Sequence, residues 1–189
     1  MWIGTSEGLD LFDIKNEKFI HWKFTNEGTT VLNRSNFSSI IQDSKGILWA
    51  GTASNGLVII DRRNKSYNYL NADLKQTDGL KSNSIRSIFE DKSGLIWIGT
   101  KFQGIQLYDP RQEVFTCIQE NSRYLKGLSD KFVLSVNEDA DKIIWIGTKE
   151  GGLNRYNPLT NKFKYYQHNA NNPESIRSNR IEYILIDDK

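Results

Sequence analysis

Apolar runs of four to six residues, separated by clusters of Gly, Asn, Asp, Ser and Lys, follow one another in a fixed order along this chain. The first kind of run is FSSIIQ (37–42), IRSIFE (85–90), VLSVNE (133–138) or IEYILI (181–186), and an aspartate follows each one, at Asp43, Asp91, Asp139 and Asp187. A tight turn then leads into a second run built on Trp-Ile-Gly-Thr. The third run is GLVIID (56–61) or GIQLYD (104–109). The fourth is aromatic-rich: SYNYL (66–70), VFTCI (114–118) and KFKYY (162–166). No segment sustains a helical period between caps, so the pattern predicts four short strands per unit and a nearly all-β chain. The first two runs are apolar at almost every position rather than alternating. That predicts burial on both faces, as when small sheets stack on their neighbours.

The order repeats with a fixed period. Trp2, Trp49, Trp97 and Trp145 stand 47, 48 and 48 residues apart. Four-stranded units at a period in the forties predict a β-propeller built from four four-stranded antiparallel blades. Over 1–189 the blades are 2–22 completed by 181–187, then 37–70, 85–118 and 133–166. Gly51, Gly99 and Gly147 lie inside the second strands, where another backbone or a ring comes close. The four tryptophans are the rings expected to fill the space between sheets. Gly46 and Gly94 suit a left-handed turn position that the third copy fills with Lys142, at a cost of about 1 kcal/mol if the backbone there is left-handed. Asp109-Pro110 and Asn157-Pro158 suit the turn after strand three.

Charge adds little. Lys and Arg number 25 against 23 Asp and Glu, a net +2, and the basic residues form no stripe, so a nucleic-acid partner is not expected. The densest cluster, Arg62-Arg63-Asn64-Lys65, falls in a hairpin turn. No apolar run approaches the length of a membrane span, and no direct membrane contact is expected. The chain begins in a second strand, with no signal-peptide pattern, and stops after a first strand, which reads as a piece of something longer. The single Cys117, in FTCI, reads as a small buried hydrophobe.

Candidate chemistry is thin. The recurring aspartates stand where turns want a side-chain acceptor. His21 and His168 occupy inequivalent positions without Cys or carboxylate at ligand spacing, so no metal site is expected. NEDADK from Asn137 lacks the glycine and closing glutamate of a calcium loop, and GTKEGG from Gly147 lacks the Gly-Lys-Ser/Thr of a phosphate loop. Ser135 has no His in the pattern beside it. The expectation is a non-enzymatic chain with no catalytic residue, cofactor or metal.

GILWAGTASNGLVIIDRRNKSY, GLIWIGTKFQGIQLYDPRQEVF and IIWIGTKEGGLNRYNPLTNKF resemble the two-component regulator propeller repeat. Departures fall at Ala50, at Ile60 and Asp61 with no following proline, and at the short loop Ser6-Glu7. The resemblance implies the periplasmic sensor region of a Bacteroides-type hybrid two-component system, which detects oligosaccharides and signals to a histidine kinase absent from this chain. Ligands of propellers meet the loops between strands two and three and the linkers between blades. There Phe102 and Tyr124 are expected to stack on a sugar ring, Asn55, Gln103 and Glu150 to bond its hydroxyls, and Arg34 and Arg177 to flank the surface. The alternative reading is a protein–protein or dimerisation scaffold without a small ligand; a propeller lyase or glycosidase is a more distant one. Closure is open between a four-bladed ring, an open arc, and two chains joined head to tail. Pairing, or docking on further blades of a parent sensor, is favoured because wide, similar blades suit a gentle angle between neighbours.

Overall fold

The computed structural model describes residues 1–73, 78–119 and 127–187. Among them the strands are β1 (Trp2–Thr5), β2 (Gly8–Asp13), β3 (Lys18–His21), β4 (Phe37–Gln42), β5 (Leu48–Thr52), β6 (Leu57–Asp61), β7 (Ser66–Leu70) and β8 (Ile85–Glu90). They continue with β9 (Ile96–Thr100), β10 (Ile105–Asp109), β11 (Val114–Ile118), β12 (Val133–Glu138), β13 (Ile144–Thr148), β14 (Leu153–Asn157) and β15 (Lys162–Tyr166). One 3-10 turn, Thr30–Arg34, interrupts the linker before β4. Three sheets have four strands, in the orders β4-β5-β6-β7, β8-β9-β10-β11 and β12-β13-β14-β15; the first has three, β1-β2-β3. This is the all-β, antiparallel blade architecture of a β-propeller.

Contacts divide the chain into two compact units, Met1–Arg86 and Ser87–Lys189. In the first, Leu9, Phe24, Leu32, Phe37, Leu48, Ala50, Val58 and Ile60 form a buried core, with Trp2, Trp22 and Tyr67 packed on it. Phe24 meets Tyr67 edge-on, and the Tyr67 hydroxyl accepts the amides of Thr25 and Asn26 at 3.0 and 2.8 Å. The linker is thereby tied to the last strand of its sheet. In the second unit, Trp97, Ile105, Leu128, Val133, Ile144, Ile146 and Tyr156 cluster, and Trp97 meets Tyr156 of the next sheet edge-on at 6.0 Å. Removing a ring of that size from water is worth about 5 kcal/mol. Trp49 and Trp97 are buried, at 3% and 1% exposure, and Trp145 is half-buried. The second strands need glycine for a steric reason. A Cβ on Gly99 would lie 2.3 Å from Ser87 Oγ and 2.7 Å from Val133, and one on Gly147 would lie 2.4 Å from Ser135 Oγ.

One device recurs in three sheets. Asp43, Asp91 and Asp139 each accept two turn amides through Oδ1 and an indole N–H, from Trp49, Trp97 or Trp145, through Oδ2 at 2.7–2.9 Å. The aspartates expected to serve the turns therefore also lock the tryptophan rotamers. Burial alone would raise the Asp139 carboxyl. The Trp145 indole, the amides of Ile143 and Asp141, and the nearby Arg155 outweigh it and hold the group below its ordinary value.

Three further findings bear on the sequence reading. Residues 181–187 form no strand, and the first sheet lacks the fourth strand expected from them. The segment lies instead along the fourth sheet, where Ile181 N donates to Thr148 O and Asn137 Nδ2 to Ile184 O. Ser38 Oγ makes the corresponding reach to Ile85 O in the first unit. Tyr183 and Leu185 are exposed. Second, Cys117 is exposed, not buried: it sits on the outer strand β11, and its thiol reaches Gln103 O at 3.3 Å. Third, Lys142 does adopt the left-handed region, with φ +62°. So do Glu17, Lys65, Glu113 and Asn161, each four residues past the Asp or Asn that ends strand three.

Candidate functional site

The loop between β9 and β10 is held by its own backbone. Thr100 donates through N and Oγ1 to Gly104 O at 3.0 and 2.9 Å, and Thr100 Oγ1 accepts Gln103 N at 2.9 Å. Gly104 closes the loop at φ +66°, where a Cβ would lie 2.4 Å from Ile118 O. A loop so constrained turns Phe102 outward, leaving it 53% exposed. The segment entering β12 then ties this loop to the one between β13 and β14. Gly104 N donates to Lys131 O, Lys149 N donates to Phe132 O, both at 3.0 Å, and Asp130 accepts the amides of Phe132 and Glu150.

These bonds set Phe132 beside Phe102, with ring centroids 6.0 Å apart at 56°. Lys101 Nζ rests 4.9 Å from the Phe102 centroid and 6.0 Å from that of Phe132, and Lys149 Nζ is 5.4 Å from Phe132. Beside the rings lies a recess of about 210 Å³ lined by Phe102, Gln103, Gln119 and Lys131. Gln119 Nε2 donates to Gln103 Oε1 at 3.1 Å, leaving the remaining amide groups for another molecule. An exposed ring with amides and ammonium groups around an open hollow is equipped to hold a small polar molecule with one apolar face. Among the described residues it presents no nucleophile–base pair. Among the described residues no group of three His, Cys, Asp or Glu is placed to hold a metal.

The expected site residues divide. Phe102 and Gln103 share the recess, and Glu150 is joined to it through Asp130 and through Lys149, whose Nζ lies 3.4 Å away. Asn55 belongs to the first unit and is occupied structurally: its Nδ2 donates to Ser35 Oγ and its amide to Thr52 Oγ1. Arg34, in the 3-10 turn, and Arg177 are exposed, in the first and second units respectively. Tyr124 lies outside the described residues. Phe132, Lys131, Gln119 and Lys149 are additions. Phe132 was legible, since the equivalent residue before each first strand is Asn36, Ser84 or Arg180.

A larger hollow of about 430 Å³, lined by Lys92, Asn137, Glu138, Asp139, Ala140, Ile186 and Asp187, is of another kind. There Lys92 N donates to Glu138 Oε2 and Lys92 Nζ to Asp139 O, so its polar groups serve turn packing.

Residues 31–54, 79–102 and 127–150 match the family model for the two-component regulator propeller. Three stretches of the chain, one from each of three successive units, are thus similar to that repeat. Each match runs from a linker through strands one and two to the loop that follows, so the third includes Lys131, Phe132 and Lys149. The chain resembles the extracellular domain of the hybrid two component system BT3049 from B. thetaiotaomicron, with 22% identity and a TM-score of 0.77 over 88% of this chain and 23% of that one. It resembles that of BT4673 from the same organism with 21% identity and a TM-score of 0.77 over 99% of this chain and 23% of that one. Virginiamycin B lyase from Staphylococcus aureus shares 11% identity and a TM-score of 0.59, over 85% of this chain and 48% of that one. At these identities the likeness is one of fold. The chain spans less than a quarter of the length of the two sensor domains. No curated protein matches the chain.

Proposed function

We propose that this chain is a non-catalytic, ligand-binding part of an extracytoplasmic, periplasmic sensor of a hybrid two-component system, and that its ligand is an oligosaccharide. The observation that carries the reading is Phe102, held outward by a rigid loop beside an amide-lined recess. A pyranose presents an apolar C–H face to such a ring and hydroxyls to amides at its edge. The regulator propeller repeats and the two sensor domains of like fold support the setting. Signalling would follow from saccharide favouring one arrangement of rigid propellers over another. Calorimetric titration of the chain with a panel of neutral and acidic oligosaccharides is expected to give heat with at least one, lost in Phe102→Ala. Silence across the panel would sink the reading.

A second role, compatible with the first, is self-association by strand addition at β1. Trp2 Nε1 is buried with no hydrogen-bond partner among the described residues, whereas Trp49, Trp97 and Trp145 each donate to an aspartate. Asp187 occupies the repeat position of those aspartates and is exposed. Residues 181–187 of a second copy, laid along β1, would supply the missing acceptor. Light scattering that gives a dimer mass lost in Asp187→Ala supports this; a monomer at high concentration refutes it.

A further inference from the structure

We infer that the saccharide taken at the Phe102 recess is anionic, carrying a carboxylate or sulfate on the stacked ring; this rests on the oligosaccharide reading above and narrows it. Three lysines, Lys101, Lys131 and Lys149, surround the paired rings of Phe102 and Phe132. Among the described residues the acidic groups facing them are Asp130 and Glu150. Both Asp130 oxygens accept backbone amides, from Phe132 and Glu150, and Glu150 lies 3.4 Å from Lys149. Lys101 and Lys131 have no carboxylate within ion-pair distance among the described residues. The Lys101 ammonium instead rests against the two ring faces, a weak hold in water.

An anion is a better partner for that ammonium than a ring face, so Lys101 gives up little when it turns to one. Its departure uncovers the Phe102 face on which a sugar stacks. Lys131, on the wall of the recess, adds a second ammonium for that charge, while Gln103 and Gln119 offer amides to the hydroxyls. A neutral sugar would have to displace Lys101 from the ring without offering it a counter-charge. The site therefore selects for charge as well as shape.

The test is calorimetric titration of the 189-residue chain with three probes: trigalacturonate, a sulfated heparin disaccharide and the neutral galactotriose. At about 50 mM salt, at least one anionic probe is expected to bind about tenfold or more tightly than galactotriose. The preference should shrink at about 500 mM salt and vanish in Lys101→Gln/Lys131→Gln, whose melting temperature should match the parent because Lys131 is exposed and the half-buried Lys101 makes only a weak cation–π contact. Binding of trigalacturonate alone would assign the carboxylate, and of the disaccharide alone the sulfate. Equal or tighter binding of galactotriose, still abolished by Phe102→Ala, overturns the charge inference and leaves the oligosaccharide reading intact. No heat with any probe overturns both. A preference that survives in the lysine variant overturns the assignment of charge recognition to this recess.

Discussion

Replacing Asp91 with alanine removes one end of the clamp between turn and tryptophan, and the structure indicates what that costs. The carboxylate accepts four hydrogen bonds: from Ser93 N, Ser93 Oγ and Leu95 N at 2.9, 2.6 and 3.0 Å through Oδ1, and from Trp97 Nε1 at 2.7 Å through Oδ2. They are not equal. Ser93 is exposed and recovers its bonds from water, and Leu95 is half-buried and recovers part of its own. Trp97 is 1% exposed, so its indole N–H is left unpaired. A buried donor without a partner costs about 1–3 kcal/mol, and the Leu95 amide adds about 1 kcal/mol, so Asp91→Ala should destabilise by about 3 kcal/mol. The assay is urea unfolding followed together by fluorescence and far-ultraviolet circular dichroism, with the midpoint expected to fall by about 1–2 M. A double-mutant cycle isolates the indole. In a Trp97→Phe background the same change should cost about 1 kcal/mol, giving a coupling near ~2 kcal/mol. Coupling below about 0.5 kcal/mol would mean that the indole bond does not hold the turn to the sheet, and the clamp argument fails.

Three further outcomes follow from the same geometry. The Asp139 carboxyl is held below its ordinary 3.8, so its contribution to stability is complete above that value and lost as pH falls through the depressed folded-state value; Asp139→Asn should flatten acid unfolding in that window relative to the parent. Lys142→Gly should raise stability by about 0.5–1 kcal/mol in urea, since Lys142 holds φ +62° at the position of Gly46 and Gly94; a loss would show that its side chain does more than occupy the turn. Gly104→Ala should lower stability by more than about 1 kcal/mol and weaken saccharide binding with it, because its Cβ would meet Ile118 O at 2.4 Å and the loop that presents Phe102 must shift; unchanged melting and unchanged titration would contradict that.

Most of the fold was written in local pattern. Apolar runs at a fixed period named the strands and turns, because strand burial and turn chemistry are set within a few residues. The need for glycine in the second strands was legible at Gly99 and Gly147, though what crowds them is neither a backbone nor a ring: it is a serine hydroxyl of the same sheet and a branched side chain, Val133 or Ile181. The candidate site was half legible. Phe102 and Gln103 were readable as loop residues breaking a repeat. Asn55 looked equivalent, yet Ser35, twenty residues away in sequence, takes its amide. Cys117 was misplaced because its run is apolar enough for a core strand, while β11 is the outer strand of its sheet.

What the sequence alone determined is the repeating unit: four antiparallel strands, an aspartate before each turn, and a tryptophan six residues later, because each depends on contacts within one period. What only the tertiary structure decided is the meeting of Phe102 with Phe132 and Lys131, thirty residues on, through the bonds from Gly104 N to Lys131 O and from Lys149 N to Phe132 O. It also decided that residues 181–187 lie against the fourth sheet rather than completing the first. The reason is the same in both cases. A strand's local pattern fixes which faces it buries, but not which distant backbone donor or acceptor reaches its edge.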